Sequence, residues 1–517
     1  MRIIDFFDQG VSLYPENLAF VEPGSDYTYR EASEQSHFIA SAIRGRGYPK
    51  GTKIGILAPN SNAAFVALLG LFRSEAVWLP INPRNACDAN IELFSRFGGE
   101  ILFYHSYFEK EAVEMKLKIT GIKEIVCLDS SEGEGELLES WTSNYRTPFE
   151  IGEENPDEIM ALFPTGGTTG KPKGVMITHK NIETFFANYW SAFNYHDDCR
   201  HLVVAPMTHT AGLLGCAHFT RGGTNIMMAK ADPKAIVDAI EDYGITHFFV
   251  PPTVLYMMLA LPDVRQGDYS SLRHIFIGAA PTSLKKLKEA IDVFGPVMSE
   301  AFGQTEAPAS ITVKAPWDYL NADGSINDQR LQSIGRPAAF NKVAILADDG
   351  TEVSRGERGE ICVKGELVVP GYYQDPQATA EVRKFGWHHT GDIGVMDSDG
   401  FITIVDRKKD MIISGGFNVF PNEIEQVITQ IPEVQDCAVI GVPDEKWGEA
   451  VKAVVQLKPG MTVEEAVIMS FVKEELGSVK TPKSVDIVDE LPRSPVGKVL
   501  KTQLRKQYWS GQDRAVN

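Results

Sequence analysis

Short apolar runs alternate with amphipathic helical runs along the first half of the chain, and this alternation limits the fold more than any other feature. Thr28–Arg44 has the apolar spacing of an amphipathic helix, Lys53–Leu57 (KIGIL) reads as a buried strand, and Asn60–Arg73 is helical again. Trp78–Ile81, Ile101–Tyr104 and Glu124–Leu128 continue the series as strands, and a second set follows at Ile240–Pro251 and Ile275–Gly278. Strands and helices alternating at this spacing form βα units and a mostly parallel sheet. Ser130–Glu139, acidic and Gly-containing, reads as an exposed loop. There is no repeat of fixed period.

The pattern changes after about residue 337. Val343–Leu346, Gly359–Val363 and Phe401–Val405 are short alternating runs set apart by turns such as Asp349-Gly350 and Asp399-Gly400, the pattern of hairpin strands. After Asp410 the chain reads as compact α+β: Asn422–Gln430 helical, Asp436–Gly441 and Ala450–Leu457 strands, Val463–Glu475 helical. The expected architecture is α/β. A large N-terminal domain of βα-layered sheets spans 1–408, with a small β-rich part at about 337–408, and a small α+β domain spans 409–517. The 517 residues suffice for two or three domains.

A net charge of −19 argues against nucleic acid and anionic membranes as partners. From Lys408 onward 14 basic residues face 16 acidic ones, so nearly all of that charge lies upstream. No run approaches the ~20 apolar residues of a membrane helix, and the start, MRIIDFFDQG, lacks a signal-peptide pattern. The six cysteines are scattered without a CxxC pair. They suit reduced thiols in a cytoplasmic protein.

One segment points to chemistry. Between apolar flanks at Met160–Phe163 and Val175–Ile177 stands Thr165-Gly166-Gly167-Thr168-Thr169-Gly170-Lys171-Pro172-Lys173-Gly174. Glycines let backbone N–H groups approach an anion, threonines add hydroxyls, and Lys171 and Lys173 add positive charge, which together make a phosphate cradle. GxxxxGK[ST] finds no register in it. On composition alone a flexible Gly/Thr turn is the other reading.

The segment resembles the signature loop of the adenylate-forming superfamily, which comprises acyl- and aryl-CoA synthetases, peptide-synthetase adenylation domains and firefly luciferase; Gly166 replaces the usual Ser. Further motifs follow in order: Pro206-Met207-Thr208-His209; Gly278-Ala279-Ala280-Pro281; Ala301-Phe302-Gly303-Gln304-Thr305-Glu306, with Phe302 for the usual Tyr; Trp387–Asp392 ending in Thr390-Gly391-Asp392; Asp406–Asp410; and Pro492–Lys498. The resemblance implies a two-step reaction. A carboxylate attacks the α-phosphorus of ATP to give acyl-AMP and pyrophosphate, and a thiol, usually that of coenzyme A, then displaces AMP.

It also implies roles. Glu306 would be the Mg²⁺ carboxylate, Thr305 a hydroxyl donor to the α-phosphate, and Lys498 the lysine bridging carboxylate and phosphate. Phe302 would stack on adenine beside Ala301, Gly303 and the turn Gly278–Pro281, while Asp392 and Arg407 take the ribose. Lys409 would be the hinge of a mobile C-terminal domain. Ser414, Gly415, Gly416, Phe417 and Trp447 would lie near the thiol tunnel. His209 would sit beside the acyl group and thiol entry; a satisfied buried histidine is the other reading of it. His196, Cys199 and His201 match no zinc spacing.

Amino-acid adenylating domains usually carry an Asp before the acyl pocket, and Met207–Gly212 has none. Tyr189, Phe193, His209, Val250, Thr253 and Gly278, placed relative to the motifs, describe an apolar, partly aromatic cavity for a fatty, alicyclic or aromatic monocarboxylate. The leading expectation is an acid–CoA ligase, supported by the resemblance of Val439–Glu449 to CoA ligases. Loading of a carrier protein is the alternative. A non-catalytic nucleotide-binding protein would be expected to lack Lys498, Glu306 or Asp392, and all three are present. Homodimers are common in the superfamily, and this sequence is compatible with one.

Overall fold

The KIGIL run is the centre of a mostly parallel sheet. In the computed structural model, which describes residues 1–130, 132–165, 172–194, 198–280, 282–493 and 499–509, Lys53–Leu57 pairs in parallel with Val77–Pro80 on one side and Ile101–Tyr104 on the other. Glu124–Cys127 and Glu136–Leu137 extend the sheet beyond Ile101–Tyr104, and Ile159–Thr165 and Lys173–Thr178 extend it beyond Val77–Pro80. Val77–Pro80 and Ile101–Tyr104 are buried at every residue, as strands covered on both faces must be.

A second sheet of nine strands runs Arg336–Pro337, Ala307–Lys314, Met298–Gln304, His274–Ile277, His247–Val250, Arg200–Val203, Thr224–Met227, Leu18–Val21, Tyr27–Thr28. Its middle is parallel and its outer pairs are antiparallel. One core takes Ile54 and Trp78 from the first sheet and Phe20, Val203 and Phe276 from the second, with Phe65, Leu69 and Phe185 from helices packed among them. Asn62–Arg73 is accordingly buried at all positions but Ala63, since a helix enclosed by protein needs apolar side chains all round. Thr28 and Glu31 start helix Tyr29–Gly45 through a reciprocal capping box. The opposite face of the nine-stranded sheet carries its own core, including Phe248, Val250, Ile275 and Ile277.

The exposed loop expected over 130–139 is shorter than its composition suggests. Glu136–Leu137 pairs in parallel with Val126–Cys127, and helix Leu138–Thr142 follows. Burial of Trp141 edge-on against Phe103, centroids 5.6 Å apart, draws this stretch inward.

The chain divides into two compact units, Met1–Val343 with Val363–His388, and Ala344–Cys362 with His389–Asn517. In the second, residues 392–396 of strand Trp387–Met396 pair antiparallel with Ile402–Arg407. A further sheet runs Phe417–Val419, Ile412–Ser414, Gly448–Leu457, Val434–Asp444, with Ser484–Val488 added in parallel to Gly448–Leu457. Helices Pro421–Ile428 and Glu465–Lys480 bury Ile424, Ile428, Ile468 and Val472 in the core of this sheet. The cysteines are free, five of them buried. Among the described residues no helix is long and apolar enough to cross a membrane.

Candidate active site

The Gly/Thr/Lys segment joins two antiparallel strands, Ile159–Thr165 and Lys173–Thr178, whose last pair is Thr165 with Lys173. Thr165 and Lys173 are both half-buried. Gly166, Gly167, Thr168, Thr169, Gly170 and Lys171 lie outside the described residues.

Thr305 and Glu306 form a two-residue turn between Met298–Gln304 and Ala307–Lys314, with Gln304 opposite Ala307. Gly303 is required beside this turn: a Cβ there would lie 2.5 Å from the backbone nitrogen of Ala309. Ala309 itself holds a left-handed φ of 53°, a strained conformation of the kind that collects at functional sites. Glu306 Oε1 accepts a hydrogen bond from the Tyr372 hydroxyl at 2.7 Å. Burial and then the Glu306 charge push the Tyr372 phenol up, so it stays a protonated donor. The Tyr372 ring in turn lies 5.0 Å from Lys173 Nζ. The structure therefore joins the base of the loop to Glu306 through a residue that none of the motifs contains. Its only sequence signal is the Gly371-Tyr372-Tyr373 run.

The other expected residues of the first unit cluster at the carboxyl ends of parallel strands, the usual place for ligands in α/β sheets. Gly278 and Ala279 follow His274–Ile277, and Ala279 is left-handed, φ 67°; Pro281 lies outside the described residues. Ala301 and half-buried Phe302 lie in the adjacent strand Met298–Gln304, just past its parallel pairing, which ends at Glu300, and pair antiparallel with Val313 and Thr312. Met207–His209 follow Arg200–Val203 and are held by Asn60, whose Oδ1 accepts from Met207 N at 2.8 Å while Nδ2 donates to the Val203 and Ala205 carbonyls. His209 caps helix Thr210–Ala217, with Nδ1 3.0 Å from the Thr208 hydroxyl. Its ring is reached by solvent yet ringed by protein. Desolvation, then the charge of Arg84, lower its pKa and keep it neutral at pH 7.

Tyr189 and Phe193 are buried against Phe276, with centroids 5.5 and 4.9 Å from it. Beyond them lies a row of buried histidines. His201, His247 and His274 are paired across adjacent strands, and His218 meets the Tyr189 hydroxyl at 3.3 Å. Val250 does not join this group. Strand alternation turns it to the opposite core and turns Phe249 toward Tyr189 and Phe276 instead. Thr253 is exposed on helix Pro252–Leu259. Sequence reading missed Phe249 and Phe276, although one step of period-2 alternation from Val250 would have found the first. His196 lies outside the described residues. Cys199 meets His247 Nδ1 at 3.4 Å and His201 Nε2 meets the Ala211 carbonyl at 3.3 Å, so these two form no common site.

In the second unit Asp392 and Arg407 stand opposite each other on paired strands, Asp392 Oδ1 being 3.7 Å from Arg407 Nε. Glu360 supports this turn: Oε1 accepts from Gly391 N at 3.0 Å, and Oε2 meets His389 Nδ1 at 3.0 Å and Lys408 Nζ at 3.2 Å. Glu360, Cys362 and His389 bring three ligand-type atoms within 4.8 Å of one another. The Lys408 ammonium already neutralises the carboxylate, so this trio is a strut under Asp392 and not a metal cage. Lys409 is exposed in the single turn Lys408–Asp410. Gly415 and Gly416, φ 57° and 82°, form the two-residue turn between Ser414 and Phe417, where left-handed φ favours glycine. Gly415 N donates to the Trp447 carbonyl at 2.9 Å; Phe417 and Trp447 are exposed, and Lys446 Nζ lies 4.7 Å from the centroid of the Trp447 ring. Lys498 lies outside the described residues.

Strand ends lined with nucleotide-type motifs, a carboxylate turn and a separate Asp–Arg pair define an adenylate-forming enzyme. Two family models match in that order: "AMP-binding enzyme" over residues 7–373 and "AMP-binding enzyme C-terminal domain" over 423–498. The chain belongs to the AMP-binding enzyme family, and its class is AMP-forming acyl-CoA synthetase. It is 43% identical over 380 residues to a medium/long-chain-fatty-acid–CoA ligase, FadD8, of Mycobacterium tuberculosis, an alignment spanning 71% of this chain and 65% of that relative. It is 32% identical over 514 residues to a feruloyl-CoA synthase of Amycolatopsis, spanning 97% of this chain and 99% of that one. Among solved structures, ATP-bound MatB of Rhodopseudomonas palustris superposes with a TM-score of 0.87 at 27% identity, covering 98% of this chain and 99% of that one. The amide bond synthetase McbA of Marinactinospora thermotolerans superposes at 0.88 and 26%, covering 98% and 100%.

Proposed function

We propose that the protein activates a hydrophobic monocarboxylate, fatty, alicyclic or aromatic, as its acyl-AMP and then transfers the acyl group to coenzyme A. The observation that carries this reading is the linkage of Glu306, Tyr372 and Lys173, in the same compact unit as Gly278 after strand His274–Ile277 and Phe302 in strand Met298–Gln304. It supports a site in which a hard oxygen ligand and a cation meet the phosphates of a nucleotide.

Glu306 suits Mg²⁺, a hard cation that takes one or two protein oxygens together with phosphate and water. When bound, the ion supplies charge neutralisation on the triphosphate. The chain's own work is placement and charge. Lys173 and the Gly/Thr loop receive phosphate oxygens, and Thr305 donates its hydroxyl at the α-phosphate. Asp392 accepts from ribose hydroxyls with Arg407 beside it. Lys498 bridges carboxylate and phosphate as the acyl-phosphate bond forms. In this reading the chain pivots at Lys409 between a body at 1–408 and a domain at 409–517, and Gly415, Gly416 and Trp447 then border the pantetheine path.

The wall of Tyr189, Phe193, Phe249 and Phe276 supports an apolar or aromatic acid, in keeping with the fatty-acid and feruloyl names of the relatives. Carrier-protein loading has one specific support, 32% identity over 511 residues to a fatty acid–[acyl-carrier-protein] ligase, ScoC, of Streptomyces coeruleorubidus. A panel of carboxylic acids, read by pyrophosphate release and then by AMP release with coenzyme A or carrier protein, tests both. Absence of acid-dependent pyrophosphate release across the panel would refute the reading.

A further inference from the structure

The segment Val369–Tyr373 is stitched to both halves of the phosphate machinery. Val369 N donates to the Glu306 carbonyl at 3.1 Å. On the other side Tyr373 N donates to the Gly174 carbonyl at 2.7 Å, Met176 N donates to the Gly371 carbonyl at 3.0 Å, and Tyr372 forms an antiparallel bridge with Val175. Tyr372 N itself donates to the Thr379 hydroxyl at 3.0 Å. Gly371 makes this course available, since its φ is 149° and a Cβ there would lie 2.5 Å from Thr379 Cγ2. The Tyr372 side chain is thus held from both ends, with its hydroxyl on Glu306 Oε1 and its ring beneath Lys173 Nζ.

The chemistry of the phenol is informative. A lysine or arginine in its place would orient Glu306 but cancel the negative charge that a divalent cation needs. A neutral hydroxyl fixes one carboxylate oxygen, leaves the full charge and frees the other oxygen. The same ring offers its negative face to Lys173.

We propose that Tyr372 is a positioning residue that sets the Glu306 carboxylate for the metal and carries Lys173 on its ring, so that the two reach the triphosphate as a pre-set pair. The proposal rests on the reading of Glu306 as the metal carboxylate. Tyr372→Phe keeps the ring and removes the hydroxyl, whereas Tyr372→Leu removes both. Calorimetric binding of ATP to the full chain, with no carboxylic acid present and Mg²⁺ varied, is the primary readout; pyrophosphate release is the second. Tyr372→Phe is expected to weaken Mg·ATP binding roughly tenfold to a hundredfold, the range for losing a hydrogen bond to a charged group. It should raise the Mg²⁺ requirement and leave metal-free ATP binding unchanged. In a Glu306→Gln background the same substitution should cost nothing more. Tyr372→Leu should lose further affinity, and that excess should vanish in a Lys173→Met background. A Tyr372→Phe variant with wild-type Mg²⁺ dependence overturns the proposal, as does a loss that persists in full beside Glu306→Gln. If Glu306→Gln itself leaves Mg²⁺ dependence untouched, the reading of Glu306 fails instead. Should Tyr372→Phe not fold, Glu306→Asp, which draws the carboxylate away from the hydroxyl, replaces it with the same expected shift.

Discussion

Lowering the pH from 8 to 5 is expected to remove folding stability through His201. Its Nε2 meets the Ala211 carbonyl at 3.3 Å, an acceptor, so that nitrogen carries the proton. Its Nδ1 is buried without a hydrogen-bond partner among the described residues. A second proton would create an imidazolium with one unpaired N–H and no counter-charge. Burial accordingly lowers its pKa from 6.5 to about 4, against a small opposing effect of the Ala211 carbonyl. Between those values the unfolded chain binds a proton that the folded chain refuses. The stabilising contribution is therefore whole above pH 6.5, declines as pH falls toward 4, and changes no further below it. Its full extent is roughly 3.4 kcal/mol, of which roughly 2 kcal/mol is gone at pH 5. The assay is urea unfolding from pH 8 to 5 on wild type and His201→Asn, which keeps a donor but cannot titrate. The difference between the two curves isolates this group from the carboxylates they share. Parallel curves, within about 0.5 kcal/mol, the usual uncertainty of additivity, would show that His201 takes up its proton without penalty.

Three other outcomes are expected. Gly415→Ala places a Cβ 2.5 Å from Trp447 Cε3. It should raise the KM for coenzyme A on supplied acyl-AMP about tenfold, near the 1–2 kcal/mol cost of a strained left-handed residue, with acyl-AMP formation unchanged; an unaltered KM removes Trp447 from the thiol path. Lys498→Ala should abolish acyl-AMP formation and spare conversion of supplied acyl-AMP to thioester, and equal loss of both halves contradicts its role. Arg505→Met breaks a pair with Asp410 whose side chains are 12% and 11% exposed. It should cost about 3–5 kcal/mol of stability, as for other broken buried pairs, measured by denaturant unfolding; a loss under 1 kcal/mol would mean water reaches Asp410.

Much of the fold was legible because its signals are local. Thr28 and Glu31 cap a helix whoever their neighbours are, and KIGIL between two helical stretches is already a buried parallel strand. The run around Trp141 was not legible, since its polar neighbours suggest a loop and residues distant in sequence hold the indole inside: Phe103, 38 residues upstream, edge-on to the ring, Glu124 accepting from its Nε1, and Arg46 over its face. The order of the chemical motifs was legible for the same local reason: their residue types answer to what nearby backbone must approach, as Gly303 beside Ala309 illustrates.

By itself the sequence determined the class of chemistry: a Gly/Thr/Lys loop, a carboxylate turn, an Asp–Arg pair and a terminal lysine in one order. Tertiary structure alone decided which residues stand together. It put Tyr372 on Glu306, across 66 residues. It sent Val250 to one core and Phe249 to the other, and lined up His201, His247 and His274 across three strands. The physical reason is that a motif records the demands of a local backbone, whereas strand register and sheet face are set by pairings that no short stretch of chain contains.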